Sequence, residues 1–237
     1  MSSTICFIQA RMGSKRLPGK VMKPLAAGRP VLWHVVGRVR RARKADAAVV
    51  ATSILPEDDR IAEFCEKEKI PVFRGDEQDV LSRFTDAARA YDAGIVVRIT
   101  ADCPLVDSGV IDALIAQFSD GNFDYLSNAH PVRVHPQGFD VELCLLGALE
   151  RAYREATDAY DREHVMPFFY RNPNLFRIGA CLLKGAGQSA LKYNLSIDTE
   201  EDFKRIQAIY AGLYRQNNCF TLEDVLHFVQ DRTGGAD

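Results

Sequence analysis

Acidic residues are missing from the first 45 positions of this 237-residue chain. The first is Asp46, and eleven lysines and arginines precede it. The chain as a whole is nevertheless slightly acidic, with a formal net charge of −2 and a pI of about 6.2. This balance argues against a nucleic-acid-binding protein. The local excess of positive charge indicates that one end of the fold meets negative charge.

Paired cysteines and long apolar runs are also missing. The six cysteines are widely spaced, with no Cys-x-x-Cys pair and no Cys/His cluster, which argues against a zinc site and a disulfide-stapled domain. No apolar run approaches the ~18 residues that a membrane-spanning helix needs. Met1 is followed almost directly by an apolar strand rather than by a signal peptide. We therefore expect a cytoplasmic protein with no membrane partner.

The apolar pattern of the first half predicts alternating strands and helices. This alternation predicts an α/β fold with a mostly parallel, doubly wound, Rossmann-like sheet. A hydrophobic fraction of 47% is enough for one substantial core. The predicted strands are 4–9, 47–52, 72–73 and 95–99, and the predicted helices are 30–43, 56–69, 80–91 and 110–118.

The pattern beyond residue 120 is less regular. Asn122–Pro136 is rich in loop-forming residues, and its two histidines, His130 and His135, are interpreted as loop residues rather than ligands. Thr199 and Thr221 are predicted to cap the last two helices, each with an aspartate three residues on. The remaining predicted elements are strands 139–144 and 176–183, helices 145–157, 161–170, 199–214 and 221–232, and a frayed tail at 233–237.

The loop after the first predicted strand carries most of the chemistry. It reads Gln9-Ala10-Arg11-Met12-Gly13-Ser14-Lys15-Arg16-Leu17-Pro18-Gly19-Lys20. Ligands of open α/β sheets bind at the carboxyl ends of the strands, where this loop lies. Backbone N–H groups can form an anion-binding nest there, and guanidinium and ammonium groups can contact phosphate oxygens. We predict a triphosphate site made by Ala10, Arg11, Gly13, Ser14, Arg16 and Lys20.

Two well-known phosphate motifs are absent from this loop. It contains neither Gly-x-x-x-x-Gly-Lys-Ser/Thr nor Gly-x-Gly-x-x-Gly, which disfavours a P-loop NTPase and a dinucleotide-dependent dehydrogenase. A basic surface turn is the alternative, and the position directly after a strand disfavours it. For the second basic run, Arg38–Lys44, we expect a solvated helix face.

Four segments together resemble one known family: 9–20, Thr100–Asp107, Asp161–Val165 and Leu195–Asp202. They resemble the cytidylyltransferase superfamily, which includes the enzymes that activate 3-deoxy-manno-octulosonate and acylneuraminate sugars. The resemblance is stronger to its spore coat polysaccharide biosynthesis F-type branch. It implies a nucleotide-diphospho-sugar transferase type of fold and Mg²⁺-dependent transfer of CMP from CTP, with release of pyrophosphate. The acceptor would be a sugar acid, a sugar phosphate or a similar small molecule.

Two aspartates are candidate Mg²⁺ ligands. Asp102 follows the predicted strand 95–99, where a carboxylate can hold Mg²⁺ against the α-phosphate, and it matches the D-x-P-L aspartate of the resembled family. The resemblance also assigns Asp198. The alternatives are a turn or cap role for Asp102 and the helix cap for Asp198. Asp107 fits a cap better than a metal ligand.

Further polar residues near the strand ends are assigned to nucleotide binding. Arg98 and Thr100 flank the end of strand 95–99, and Arg98 can pair with phosphate or with an internal acid, because an unpaired buried charge is costly. Thr52 and Ser53 can reach the base or ribose, or simply end a strand. Arg83 lies in a segment that resembles one near the nucleotide, with an i,i+4 pair to Asp79 as the alternative.

Acceptor binding is assigned to the second half. Strand alternation puts Asp140 and Glu142 on one face, where they can bind the hydroxyls of a polyol; solvent exposure is the alternative. Gln137 precedes them in the same segment. Arg162 and His164 are expected to line the acceptor side or a subunit contact of a homodimer.

The predicted reaction is in-line attack by an acceptor oxygen on the α-phosphorus, in surface polysaccharide or glycan precursor synthesis. Arg11, Arg16, Lys20 and Asp102 are the predicted catalytic residues. The alternatives are a guanylyltransferase that uses GTP and a GT-A-like glycosyltransferase, although Asp102-Cys103-Pro104 departs from an Asp-x-Asp motif. We predict one domain over 1–237, with nucleotide binding in 1–120, acceptor and dimer contacts in 121–195 and C-terminal helices in 196–237.

Overall fold

The computed structural model describes residues 3–214 and 217–233. The strands of this part of the chain are β1 (Ser3–Gln9), β2 (Pro24–Ala26), β3 (Arg29–Pro30), β4 (Ala47–Ser53), β5 (Val72–Gly75), β6 (Ala93–Thr100), β7 (Tyr125–Ser127), β8 (Glu142–Leu145) and β9 (Ile178–Gly179). Strands β1, β4, β5 and β6 begin within two residues of the predicted apolar runs.

Seven of these strands form one sheet, in the order β5-β4-β1-β6-β8-β7-β9, and β2 pairs with β3 in a separate hairpin. Strands β5, β4, β1 and β6 are parallel neighbours. Strand β8 runs antiparallel to β6 and to β7. The predicted mostly parallel α/β sheet is therefore confirmed, with one reversed strand near its edge.

Helices cover both faces of the sheet. Two short 3-10 helices, Lys20–Met22 and Pro56–Asp58, follow β1 and β4. The α-helices of the described residues are α1 (Val31–Val39), α2 (Asp59–Lys67), α3 (Val80–Ala90), α4 (Ser108–Asp120), α5 (Leu146–Glu155), α6 (Ala159–His164), α7 (Pro167–Arg171), α8 (Gln188–Leu191), α9 (Glu200–Leu213) and α10 (Leu222–Thr233).

The core divides into two clusters, one on each face. Cys6 and Ile8 of β1 pack in the cluster that includes side chains of α1, α2, α4 and α9. Ile5 and Phe7 pack in the cluster of α3, α5 and α7, where the Phe7 and Phe84 rings meet edge to face at 6.1 Å. Successive residues of a strand point to opposite faces, so one apolar run serves both layers.

Capping side chains fix where several helices start. Asp107 accepts from the N–H of Gly109 at 2.6 Å and so caps α4, as its sequence position suggests. Thr199 caps α9 and forms a reciprocal capping box with Asp202, as predicted. Asp198 is therefore not the cap of α9, and its side chain remains available for other contacts.

Several predicted elements of the second half are wrong in extent. The loop-rich segment 122–136 contains β7, the predicted helix 161–170 is split into α6 and α7, and the predicted strand 176–183 is reduced to β9. Short strands and helices are specified by tertiary pairing more than by local pattern. The predicted frayed tail lies, apart from Thr233, outside the described residues.

The predicted solvated face at 38–44 is wrong for Arg38, which is only 5% exposed. Its guanidinium donates to the carbonyls of Val106 at 2.6 Å, Leu105 at 3.3 Å and Phe220 at 2.8 Å. It also lies over the Phe220 ring, 4.3 Å from the centroid. Arg38 thus ties the segment before α10 to the loop before α4.

None of the helices in the described residues is long and apolar enough to cross a membrane.

Candidate active site

The carboxyl ends of β1 and β6 open onto a cavity of about 890 Å³. Because parallel neighbours end at the same sheet edge, the loops that follow them face each other across it. The first loop supplies one wall, the end of β6 supplies the floor, and α6 supplies residues from the second half. The lining residues are Gln9, Arg11, Gly13, Ser14, Lys15, Arg16, Lys20, Val21, Glu77, Gln78, Asp79, Arg98, Thr100, Ala101, Asp102, Ala159, Arg162, Glu163 and Asp198.

The loop after β1 is folded back on Met12. The Met12 carbonyl accepts from the N–H groups of Ser14 at 2.8 Å and Gly19 at 3.0 Å. The Met12 N–H donates to Asp58 Oδ1 at 2.6 Å. Gly19 has a φ of +67°, a conformation that glycine adopts without steric cost. The N–H of Ser14 is thus already paired in this conformation, and the anion nest at Gly13 and Ser14, both of which line the cavity, stays a prediction.

Lys20 joins the two predicted metal ligands at the floor of the cavity. Its Nζ donates to Asp102 Oδ2 at 2.7 Å, to Asp198 Oδ1 at 3.1 Å and to the Ile197 carbonyl at 2.6 Å. A backbone hydrogen bond of 2.9 Å from the N–H of Ile197 to the Asp102 carbonyl holds the two segments together independently of the lysine. Asp102 and Asp198, which follow Lys20 by 82 and 178 residues in the chain, thus contact the same nitrogen atom.

The charges of this cluster stabilise one another. Burial alone would lower the pKa of Lys20, but the two carboxylates outweigh it, and the pKa is raised above its ordinary value. Burial alone would likewise raise the pKa of Asp102, yet the ammonium outweighs it and the pKa is lowered. The two directions agree: the ammonium and the carboxylate are both charged at neutral pH.

The other cations of the loop are held loosely over the cavity. Arg16 is a surface side chain, 66% exposed, that reaches Asp198 at 3.1 Å. Arg11 lies between Glu77 at 3.8 Å and Glu163 at 3.6 Å. Such exposed ion pairs are weak, worth about 0–1 kcal/mol each, so both guanidinium groups can exchange a carboxylate for a phosphate at little cost.

The donor set fits Mg²⁺. No group of three or more His, Cys, Asp or Glu side chains in the described residues is placed to hold a metal ion. Mg²⁺ does not need one, because it is commonly bound by one or two carboxylates together with phosphate and water oxygens. Asp102 and Asp198 supply two carboxylates, both in contact with the Lys20 ammonium, beside a loop suited to phosphate.

A second cavity, of about 200 Å³, adjoins the first at Arg98 and Thr100. It holds the predicted acceptor residues Asp140, Glu142 and His164, and aromatic rings surround them. His130 stacks on Tyr170 with ring centroids 4.5 Å apart, and Tyr160 meets His164 at 4.4 Å. The lining residues are Arg98, Thr100, Ala129, His130, Asp140, Glu142, Tyr160, His164, Met166, Pro167 and Tyr170.

Arg98 lies between the two cavities and is paired with an internal acid. It is opposite Glu142 in the β6/β8 register, and the two side chains form a salt bridge. The guanidinium also donates to Gln9 Oε1 at 3.0 Å, and Tyr125 donates to Glu142 at 2.8 Å. Glu142 is 7% exposed, so the solvent-exposed alternative is wrong for this residue.

Asp140 and Arg162 are each held by an ion pair. The guanidinium of Arg133 contacts both oxygens of Asp140, at 2.5 and 3.1 Å. Arg162 pairs with Asp79, the cap of α3, and donates to the carbonyls of Tyr153 and Ala156. Asp79 is therefore the partner of Arg162, and the alternative i,i+4 pair with Arg83 is not formed.

Five residues assigned from the sequence lie outside both cavities. Ala10 is buried and donates its N–H to the Ala51 carbonyl at 3.1 Å. Ser53 is buried with its hydroxyl on Asp58, and Thr52 is buried beside it. Arg83 is completely buried and donates to the Asp76 carbonyl. Gln137 donates to Ser196 at 3.0 Å.

Sequence reasoning left several cavity residues unassigned. Gln9 ends β1 and was detectable as the polar last residue of an apolar strand. Glu77 and Gln78 line the main cavity from the β5–α3 loop, where only their segment was singled out. Tyr160 and Tyr170 flank the second cavity, but no periodicity or motif distinguishes them from ordinary helix residues.

Comparison with known proteins shows the family of this chain. A family model described as "Cytidylyltransferase" matches residues 5–225. The chain belongs to the cytidylyltransferase family. The match extends from β1 into α10, so it includes every residue of both cavities.

Individual relatives cover most of the chain. The spore coat polysaccharide biosynthesis protein SpsF of Bacillus subtilis is 36% identical over 225 residues, which are 89% of this chain and 87% of that protein. An uncharacterised protein of Methanocaldococcus jannaschii is 40% identical over 204 residues, which are 84% of this chain and 80% of that one. The resemblance to the spore coat branch is thereby confirmed.

A solved structure shares the fold. A cytidylyltransferase from Leptospira borgpetersenii superposes with a TM-score of 0.89 at 30% identity, covering 98% of this chain and 96% of the other. The chain is thus an enzyme, a nucleotidyltransferase of the cytidylyltransferase type, with the Rossmann-like fold that the resemblance implied.

Proposed function

We propose that this cytidylyltransferase transfers CMP from CTP to a sugar acid, sugar phosphate or similar polyol acceptor, with Mg²⁺ and release of pyrophosphate, in polysaccharide precursor synthesis. The observation that carries the proposal is the meeting of Asp102, Asp198 and Lys20 at the floor of a cavity walled by Arg11 and Arg16. A related protein named for spore coat polysaccharide synthesis supports the pathway. A homodimer stays a prediction.

The cationic loop binds and polarises the triphosphate. A triphosphate carries about four negative charges, and Arg11, Arg16, Lys15 and Lys20 all face the same cavity. Forked guanidinium groups that leave weak surface pairs for phosphate oxygens stabilise the charge that builds on departing pyrophosphate. Asp102 and Asp198 are the residues that would hold Mg²⁺, whose charge would offset that of the α-phosphate oxygens.

The second cavity positions the acceptor. It opens into the main cavity through Arg98 and Thr100, so an acceptor oxygen can approach the nucleotide from the side of β8. Carboxylates and imidazoles can hold hydroxyls, and the rings of Tyr160 and Tyr170 can pack on the apolar face of a sugar. No covalent intermediate with the protein is required, so positioning and electrostatics provide the catalysis.

The nucleotide choice is tested by thermal shift with CTP, GTP, UTP and ATP, each with Mg²⁺. A ligand that binds the folded state raises the melting temperature by mass action, so CTP should give the largest shift. A larger shift with GTP would contradict the choice of CTP and favour the guanylyltransferase alternative. Binding of CMP-sugar without any pyrophosphate release would favour a glycosyltransferase.

The catalytic assignment is tested with Asp102→Asn. Loss of a carboxylate that holds the metal should lower turnover, measured as pyrophosphate release, by at least ~10²-fold. Asp86→Asn, on the exposed surface of α3, is the matched control and should stay within about twofold of the wild type. Activity of Asp102→Asn close to the control would remove Asp102 from the proposed site.

A further inference from the structure

The Lys20 ammonium occupies the point on which Asp102 and Asp198 converge. Its three donors are all used, by one oxygen from each carboxylate and by the Ile197 carbonyl. The side chain is 12% exposed, less than either aspartate. Any divalent cation that bridges the same two oxygens must therefore displace this nitrogen.

The charge of the cluster is already balanced. Asp102 and Asp198 contribute two negative charges, and Lys20 and Arg16 contribute two positive ones. A balanced cluster attracts a free divalent cation weakly, and a lysine left in place would repel it across a few ångströms.

The backbone permits the ammonium to move without the site falling apart. Lys20 begins a 3-10 helix whose next residue, Val21, is buried, so its main chain is anchored. Lysine has a flexible four-carbon stem, which lets Nζ swing away from a fixed Cα. The Ile197 N–H to Asp102 carbonyl bond and the Asp198 N–H to Asp202 bond, at 3.1 Å, keep both aspartates in place.

A triphosphate provides the alternative partner. Lys20 lines the same cavity as Ser14, Lys15 and Arg16, so phosphate oxygens bound by this loop lie within the reach of its stem. We propose that Lys20 is the counter-ion of Asp102 and Asp198 in the nucleotide-free enzyme, and that it leaves them for the triphosphate when the divalent cation binds. This inference rests on the metal site of the proposed function. It makes metal binding dependent on the nucleotide.

The test uses Mn²⁺ as the probe, with free Mn²⁺ measured by electron paramagnetic resonance in nucleotide-free protein. Lys20→Met should bind Mn²⁺ at least ~10-fold more tightly than the wild type, because the repelling charge is gone. Lys23→Met is the matched control, since Lys23 pairs with Glu200 outside the cavity, and it should bind like the wild type. Lys20→Gln provides a second neutral variant should the first fail to fold.

The outcomes separate this inference from the proposed function. Wild-type Mn²⁺ binding as tight as that of both neutral variants, and lost in Asp102→Asn, would overturn the exchange and leave the metal site standing. Absence of Mn²⁺ binding in the nucleotide-free wild type and in both neutral variants would overturn the metal site itself. A gain in Mn²⁺ affinity in Lys20→Met that disappears in the double variant with Asp102→Asn would establish both the metal site and its occupation by Lys20.

Discussion

At the residue scale, the side-chain amide of Asn128 determines whether Nδ1 of His135 carries a proton in the folded protein. The Asn128 carbonyl oxygen accepts from the N–H of Val141 at 2.8 Å, and its amide nitrogen donates to the Phe139 carbonyl at 2.8 Å. The amide orientation is thereby fixed, so its contact of 3.0 Å with His135 Nδ1 is a donated hydrogen bond. His135 Nδ1 must accept and cannot carry a proton.

This arrangement predicts acid sensitivity. Burial lowers the pKa of His135 below its ordinary value of 6.5. Above pH 6.5 the imidazole is neutral in both the folded and the unfolded protein. Below pH 6.5 the unfolded chain binds a proton that the folded protein does not bind. The free energy of unfolding therefore falls with pH until the pH reaches the lowered pKa. His135→Asn keeps a hydrogen-bond acceptor, and its melting temperature should fall less between pH 6.5 and 5 than that of the wild type.

The matched control is His227→Asn, on the exposed face of α10, which should keep the wild-type slope. A wild-type slope in His135→Asn would show that this imidazole is protonated in the folded protein.

Residue roles were only partly predictable from the sequence. Asp102 and Asp198 were detectable because they follow apolar runs inside recognisable motifs, and the structure brings both to Lys20. Arg83 and Thr52 sit in equally suggestive positions, but their side chains turn into the core rather than the cavity. Strand-end position identifies which residues are near an edge, whereas side-chain direction depends on neighbours that are distant in sequence.

At the element scale, two identical capping boxes have different surroundings. Thr199 and Asp202 start α9 directly after Asp198, and Asp202 also accepts from the Asp198 N–H. Thr221 and Asp224 form the same reciprocal contacts at α10, away from both cavities. Both boxes were predictable, because the threonine-to-aspartate spacing is local.

The pair supplies a matched experiment. Thr199→Ala and Thr221→Ala should each lower the free energy of unfolding by about 1 kcal/mol in urea titrations. Only Thr199→Ala should also lower kcat/KM, by roughly 2–10-fold, because the backbone that positions Asp198 loosens. Equal catalytic losses in the two variants would show that Asp198 does not depend on its helix for position.

At the scale of the whole molecule, the first half was predicted well and the second half poorly. Strands β1, β4 and β6 are buried apolar runs separated by helices of ordinary length, and such runs specify a parallel sheet almost alone. The second half consists of strands of two to four residues, β7 to β9, whose existence depends on pairing with a sheet already formed. The salt bridge of Arg98 with Glu142 follows from that pairing and has no local signal.

Arg38 links segments of the fold that are far apart in the sequence. Its three backbone acceptors lie 67 to 182 residues away along the chain. Arg38→Ala would leave buried carbonyls without donors and should lower the free energy of unfolding by about 2–5 kcal/mol. Urea denaturation provides the measurement. The control is Arg40→Ala, because Arg40 donates to the Lys69 carbonyl at the protein surface. Its free energy of unfolding should differ from that of the wild type by less than about 0.5 kcal/mol. A similar small change in Arg38→Ala would mean that water replaces the lost donor.

Strand β8 runs against its neighbours, so its first residue, Glu142, arrives at the same edge as the last residues of β6. Glu142 thereby brings a later stretch of chain to the second cavity, which shares only Arg98 and Thr100 with the main cavity. Substitutions at residues that line only the second cavity, such as Asp140 and Tyr170, can accumulate without touching the loop after β1, whereas Glu163 of α6 contacts Arg11 of that loop. Under the proposed function, this division would let descendants of one ancestor change the sugar they activate while keeping the same nucleotide donor.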